Sequence, residues 1–456
     1  MKGHVPTPAA LVDQMVQRLF AGAPPNENDR LLDPGCGDGA FIDGVLRWCL
    51  AHRIRPPRIV GVELNPSLVA KARRRFAGMR SVEIVNADYL GSVAAPQYRY
   101  VVGNPPYVSL VQINERQRQR FRERYAAAHG RFDLYLLFME KAISDTAEGG
   151  RMAFVTPEKY LYVEAAAPLR RLMAAYNIES IELIAESIFT DHTVYPAVTI
   201  LQKQANTATT HVRLRNNLFR DVRLPLAGDA WWPALMGHVT NTTGTLPLSE
   251  HCLRVSAGIA TGADKIFVRS LDKLQAPLWR YAHPALSGRD LDINQNRLPT
   301  PNLALLAPYD AQGALLPEQR LGALGEYLRQ PDNQAQLIGR SCVERKPWYA
   351  FHDNYPVLDI RRPKILCKDI GLRPRFWVDR TGEIIPLHSV YYIVPLRVAD
   401  LIPLCVWLNG QEAGAWLANH CQRASNGFVR LQSHVLQKLP VPAAVTVTGH
   451  YTERVA

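Results

Sequence analysis

The sequence predicts an α/β fold on a parallel sheet, followed by a smaller α+β domain, and three observations carry the prediction. Apolar runs alternate with segments of helical period as far as about Gln204. A glycine-rich turn, Asp33-Pro34-Gly35-Cys36-Gly37-Asp38-Gly39, links the first apolar run to a helix-like segment. Four successive runs end in polar residues of the kind that hold ligands, so all four meet along the carboxyl edge of one parallel sheet.

Thr7-Pro8 opens the first element, Ala9–Phe20, in which Leu11, Met15, Val16 and Leu19 form an apolar stripe. Thr is a favoured N-cap and Pro suits the first helical position, so a helix starts here and aims its donors outward. Leu31-Leu32-Asp33 ends a buried strand. The glycines after it permit positive φ and close approach of backbone to a ligand. Phe41, Val45, Leu46, Cys49 and Leu50 then recur at helical spacing. No Lys-Ser/Thr follows the turn, which disfavours a phosphate-cradling loop.

Ile59-Val60-Gly61-Val62-Glu63 is a second strand ending in an acid, where open α/β sheets carry a ribose-hydroxyl acceptor. Val82-Glu83-Ile84-Val85 is a third, leading to Asp88 and Tyr89. Glu63 and Asp88 each also read as helix caps; their joint order favours a nucleoside site.

The fourth run, Tyr100-Val101-Val102-Gly103, delivers Asn104-Pro105-Pro106-Tyr107. This tetrapeptide suits a planar amine. The Asn104 side-chain oxygen and the Pro105 carbonyl each accept one N–H, no proline nitrogen competes as donor, and Tyr107 offers an aromatic face. The arginine-rich stretch Glu115–Arg124 follows as a helix with charge spread around its circumference, either solvated or, close to the ligand edge, a lid or a contact to a polyanion's backbone.

At 456 residues there is room for two or three domains. The net charge of +12 favours a polyanionic partner. Seven scattered cysteines without a Cys-x-x-Cys pair fit a reduced, cytoplasmic compartment and disfavour a zinc site. No long apolar run or secretory signal is seen, so no membrane association is expected. Trp231-Trp232-Pro233 and His238–Thr245 read as a linker, and the stretch after Pro442 as a frayed end. Arg361, Arg362, Lys364, Lys368, Arg373 and Arg375 form a dense basic stretch interleaved with Phe376 and Trp377. It reads as a phosphate-contacting surface, or else as a solvated strand face.

On these motifs the chain resembles the S-adenosylmethionine-dependent DNA adenine-N6 methyltransferases, most closely the TaqI-like and Eco57I-like group, over almost its whole length. The resemblance implies a Rossmann-like class I methyltransferase domain over residues 1–235 and a target-recognition domain over residues 246–456. It implies that S-adenosylmethionine is the cofactor, bound by Thr7, Asp33, Gly35, Gly37, Glu63, Asp88 and Tyr89. Asn104, Pro105 and Tyr107 become the catalytic group, with Phe189 as a second aromatic wall opposite Tyr107. Gly130–Tyr135, Gly149–Pro157, Ser256–Lys265, Leu286–Asp290 and Ser425–Phe428 resemble further family segments. The implied partners are duplex DNA, from which the target base is flipped out, and a cognate restriction endonuclease.

Methylation of RNA or of a protein glutamine amide is the alternative, since both classes use similar tetrapeptides. The glycine loop near residue 31 with over 200 residues trailing it favours DNA. A nuclease reading of Asp332, Glu344 and Lys346 is weaker, because Leu321–Ser341 reads as helical and Pro347 interrupts the strand such a site needs.

Overall fold

The computed structural model describes residues 6–91, 97–189, 195–206, 209–237, 244–423 and 428–447. Two compact units divide the chain, Met1–Val239 and Thr240–Ala456.

Among the described residues the first unit is built on nine strands: β1 (Arg30–Asp33), β2 (Arg58–Glu63), β3 (Val82–Asn86), β4 (Tyr98–Gly103), β5 (Thr146–Pro157), β6 (Tyr176–Leu183), β7 (Pro196–Ala205), β8 (Thr210–Arg213) and β9 (Phe219–Val222). Their order is β3-β2-β1-β4-β5-β7-β6-β8-β9. The first five are parallel, and β7 runs antiparallel between β5 and β6. Strand order reverses between β1 and β4, so the crevice for a ligand opens at their carboxyl ends. Asp33 ends β1 and Asn104 follows β4.

Helices α1 (Ala9–Leu19), α2 (Ala40–Ala51), α3 (Pro66–Arg75), α4 (Glu115–Arg124), α5 (Leu134–Asp145), α6 (Ala167–Ala174) and α7 (Trp232–Met236) complete the unit. The α1 stripe is buried as its periodicity requires, at Leu11, Val12, Met15, Val16 and Leu19. In α2, Phe41, Val45 and Cys49 are buried, but Leu50 is 81% exposed and lies off the stripe. Two apolar clusters cover the two faces of the sheet's strands, one around Val101, Phe138 and Phe154, the other around Leu31, Val102 and Val155. Alternate residues of β4 belong to opposite clusters, as a strand buried on both sides demands.

The tryptophan pair is not linker. Trp231 and Trp232 are buried in the core, the Trp231 indole donating to the Pro225 carbonyl at 2.9 Å. Large apolar rings with a satisfied N–H belong inside. Residues 238–243 of the expected linker lie outside the described residues.

The second unit is α+β. One four-stranded antiparallel sheet runs Cys252–Ala257, Val390–Pro395, Lys364–Lys368, Phe376–Asp379, and another contains Val268–Ser270, Leu303–Leu306, Ala282–Leu286 and Ile385–Pro386. Helices Gly322–Leu328, Pro331–Ile338, Leu401–Leu408 and Gln411–His420 accompany them. The expected frayed end is ordered through Val447: Ala444–Val447 is helical, Val445 is buried, and Thr446 bonds His251 at 2.9 Å. Residues 425–427 of one family-like segment lie outside the described residues.

Candidate active site

A cavity of about 510 Å³ opens at the β1/β4 crossover, within the roughly 300–1,000 Å³ typical of small-molecule sites. Gly35, Glu63, Asp88, Tyr89, Asn104 and Pro106 all line it. The loops that follow four different strands thus converge on one hollow.

The glycine turn is shaped by backbone need. Gly39 holds φ +95°, and a Cβ there would sit 2.3 Å from the Phe76 ring. Gly103 lets β4 pass close to β1, since a Cβ would come within 3.0 Å of Asp33 Oδ1. Glu63 braces the turn: its carboxylate accepts from Gly37 N at 3.1 Å and from Asn65 N at 2.8 Å. It is not the cap of α3; Asn65 is, accepting from Ser67 N at 2.9 Å. Asp88 accepts from Leu90 N at 3.1 Å, so it caps a short turn as well as facing the cavity.

Asp33 is fully buried, and neither carboxylate oxygen has a hydrogen-bond partner. Burial pushes its carboxyl up to about 8; the nearby Gly35 N–H, short of hydrogen-bonding geometry, offsets part of this, and the Glu63 charge adds to it. A buried carboxyl that holds its proton for want of a counter-charge is drawn back to its ionised form by a cation, so it suits a cationic ligand beside the cavity.

Tyr89 is anchored by groups that sequence reading did not single out. Its hydroxyl donates to Asp145 Oδ2 at 2.7 Å, and Lys141 pairs with the same carboxylate at 3.1 Å. The Lys141 ammonium also lies 4.9 Å from the Tyr89 ring centroid, and Phe138 packs 5.2 Å from it. All three partners sit on α5, where helical spacing reads equally well as plain core. Their only sequence signal is the pair Lys141 and Asp145 inside an apolar helix.

Thr7 is not the cap of α1. Pro8 occupies that position without a side-chain cap, and the Thr7 hydroxyl instead accepts from Asn104 Nδ2 at 3.1 Å. Thr7, Asp33, Gly37, Pro105 and Tyr107 stand behind or beside the cavity wall rather than on it. The Tyr107 ring meets Tyr135 nearly edge-on, centroids 6.3 Å apart, and its hydroxyl reaches the Val155 carbonyl at 3.4 Å. Phe189 departs from its expected place. It is 4% exposed, packed in the core with Val198 and Ile200, and a base stacked on it would require the ring to turn outward.

The basic stretch of the second unit divides. Arg361, Arg362 and Arg373 are exposed, and Lys368 and Arg375 are partly so. Lys364 is not surface: it is wholly buried in an ion pair with Asp379 at 2.6 Å, and Phe376 and Trp377 are core. Its strand is buried on both faces from Lys364 through Cys367, and there only a carboxylate makes an ammonium tolerable. Asp332 lies on a helix and Glu344 in a helical turn, not on a buried strand, and among the described residues no acidic cluster suits a metal ion.

Residues 78–189, spanning Asp88, Tyr89 and the Asn104–Tyr107 tetrapeptide, match the family described as Eco57I restriction-modification methylase. Over those residues the chain is similar to the Eco57I-type restriction-modification methylases. Beyond them the similarity extends further. The type II methyltransferase M.PaeR7I of Pseudomonas aeruginosa is 25% identical over 97% of this chain and 86% of its own length. M.XhoI of Xanthomonas vasicola is 25% identical over 91% and 86% respectively. The type IIL restriction-modification enzyme MmeI, solved in complex with DNA, shares the fold with a TM-score of 0.69 at 14% identity, over 95% of this chain and 67% of that one. Among the described residues no helix is long and apolar enough to cross a membrane.

Proposed function

We propose that this protein transfers a methyl group from S-adenosylmethionine to the N6 amine of an adenine flipped out of duplex DNA, as the modification half of a restriction-modification system. One observation carries the reading: Asn104 faces the same cavity as Gly35, Glu63 and Asp88. A holder of planar amines thus adjoins a nucleoside-sized hollow.

The residues present fit the cofactor. Glu63 is suited to the ribose hydroxyls, Asp88 to the adenine amine, Tyr89 to the face of that ring, and buried Asp33 to the cationic methionine end. When bound, the cofactor supplies an activated methyl group on a sulfonium.

The protein's own contribution is orientation. An exocyclic amine is a poor nucleophile because its lone pair is delocalised into the ring. Asn104 Oδ1 and the Pro105 carbonyl accept its two N–H bonds and draw the nitrogen toward tetrahedral geometry. Tyr107 stacks on the base and screens it from water. The proton leaves after transfer, so no strong general base is needed. The second unit supplies phosphate contacts to the DNA, through Arg361, Arg362, Lys368, Arg373 and Arg375.

Asn104→Ala should abolish methyl transfer to duplex DNA while cofactor affinity, measured by calorimetry, stays within a few-fold. Loss of cofactor binding would refute the assigned role. Sequencing that detects modified bases in DNA from expressing cells should find N6-methyladenine at one recurring sequence. Its absence, or methylation of RNA or protein alone, would overturn the reading.

A further inference from the structure

The arginine-rich helix α4 has no part in the chemistry above, yet it forms one wall of the cavity. None of its residues is buried, but Gln117 and Phe121 line the hollow. Its N-terminus is capped by Asn114, whose side chain accepts from Gln117 N at 2.9 Å. Three of its arginines are engaged within the protein. Arg118 donates to the Leu110 carbonyl at 3.1 Å and to Glu115 at 3.0 Å, Arg122 lies 3.7 Å from Glu115, and Arg124 donates to the Gly91 carbonyl at 3.2 Å.

Arg116 and Arg120 are different. Both are exposed, and neither has an acceptor among the described residues. Four residues apart, they stand one above the other on a single flank. Each immediately precedes a cavity-lining residue, so that flank is turned about 100° from the cavity face. The two acids of the helix, Glu115 and Glu123, make no ion pair with either of them among the described residues. With five arginines and two glutamates the helix carries a net +3, and like charges at this spacing destabilise a helix in isolation. Such an arrangement is relieved by a polyanion lying along it.

We propose that the Arg116–Arg120 flank is a docking surface for the phosphate backbone of duplex DNA, and that docking holds α4 down over the cofactor cavity. DNA and cofactor then bind with positive cooperativity. This rests on the methyltransferase reading above and extends it to the order and coupling of ligands. Charge complementarity singles out the partner: a repeated anion matches two free guanidinium groups on one line, where a protein surface would bring its own cations. The coupling follows because the same helix presents Gln117 and Phe121 inward, and whatever favours its closed position favours both ligands equally.

The test uses the full chain carrying Arg116→Gln and Arg120→Gln together. Without DNA, its affinity for S-adenosylhomocysteine should equal that of the parent protein. The slope of log affinity for duplex DNA against log salt should shrink by about 1–2, as loss of one or two phosphate contacts requires. Duplex DNA should tighten cofactor binding about 5-fold or more in the parent protein and far less in the variant. Phe121→Ala should do the converse, weakening the cofactor with the salt slope intact. A parent-like slope and coupling in the double arginine variant would overturn the proposal. A parent protein that neither binds duplex DNA nor methylates it would instead remove the function on which the proposal stands.

Discussion

Asn104 Nδ2 donates to Thr7 Oγ1 at 3.1 Å, joining residues 97 positions apart. The bond commits the donor end of the amide, so an incoming amine must meet the oxygen. Thr7→Val keeps the shape and removes the acceptor, allowing the amide to present either end. One neutral hydrogen bond is worth about 1 kcal/mol, so kcat should fall roughly 5- to 10-fold. Cofactor affinity should change little, and Thr7→Ser should restore the rate. An unchanged kcat in Thr7→Val would show that the amide is oriented by other contacts.

Asp33 makes stability pH-dependent. Its carboxyl is held near 8 in the folded protein, against about 3.9 in the unfolded chain. The folded state therefore keeps a proton that the unfolded chain has released. The contribution is full below about pH 4 and is lost as pH rises toward 8, by at most ~1.4 kcal/mol per pH unit. Asp33→Asn cannot lose that proton. Without cofactor, its melting temperature relative to the parent should climb between pH 5 and 8, while methyl transfer drops. A gap that stays constant with pH would mean the carboxylate is compensated.

What the sequence made legible was periodic or punctuated. The α1 stripe, the four strand ends and the glycine turn are local patterns, and the sheet's crossover brings Glu63, Asp88 and Asn104 to one cavity as their order implied. What it hid depends on which way a side chain points. Lys364 reads as one more cation in a basic run until the register Lys364↔Asp379 turns it inward. Trp231 and Trp232 follow the last strands of the unit and resemble linker punctuation, although their size suits the core they fill. Phe189 and the Tyr89–Asp145–Lys141 network are likewise tertiary facts: no spacing rule separates a ring on a cavity wall from one a turn deeper.

Gly39 tests the glycine turn. Its φ of +95° is strained for any L-residue, and a Cβ would meet the Phe76 ring at 2.3 Å. Gly39→Ala should cost about 2–4 kcal/mol from backbone strain and overpacking together. The consequence for function is larger than for fold, because α2 starts at the next residue and the Gly37 N–H must still reach Glu63. Thermal unfolding and cofactor titration should both report the loss. A variant of parental stability would show that the turn adopts another conformation.

The cations of the second unit should separate into two experimental kinds. Lys364 Nζ contacts Asp379 and the Gly382 carbonyl at 3.1 Å, and Asp379 in turn accepts from the backbone N–H of Gly382 and Ile384. Removing the lysine leaves a buried carboxylate without its counter-charge, so Lys364→Ala should destabilise by ~3–5 kcal/mol. Arg373 is exposed, and Arg375 is half-buried with its guanidinium bonded to Asn296. Replacement by Gln therefore costs within about 0.5 kcal/mol at the first and about 1 kcal/mol more at the second, well short of the lysine's effect. Their effect belongs instead to DNA binding: together they should reduce the salt slope by about 1–2. Denaturant melts and salt-dependent affinities on the two sets decide the matter, since a phosphate contact moves the slope without moving the melt and a structural ion pair does the reverse. Were the Arg373/Arg375 variant to keep the parental slope, the DNA-contacting surface would lie elsewhere in the protein.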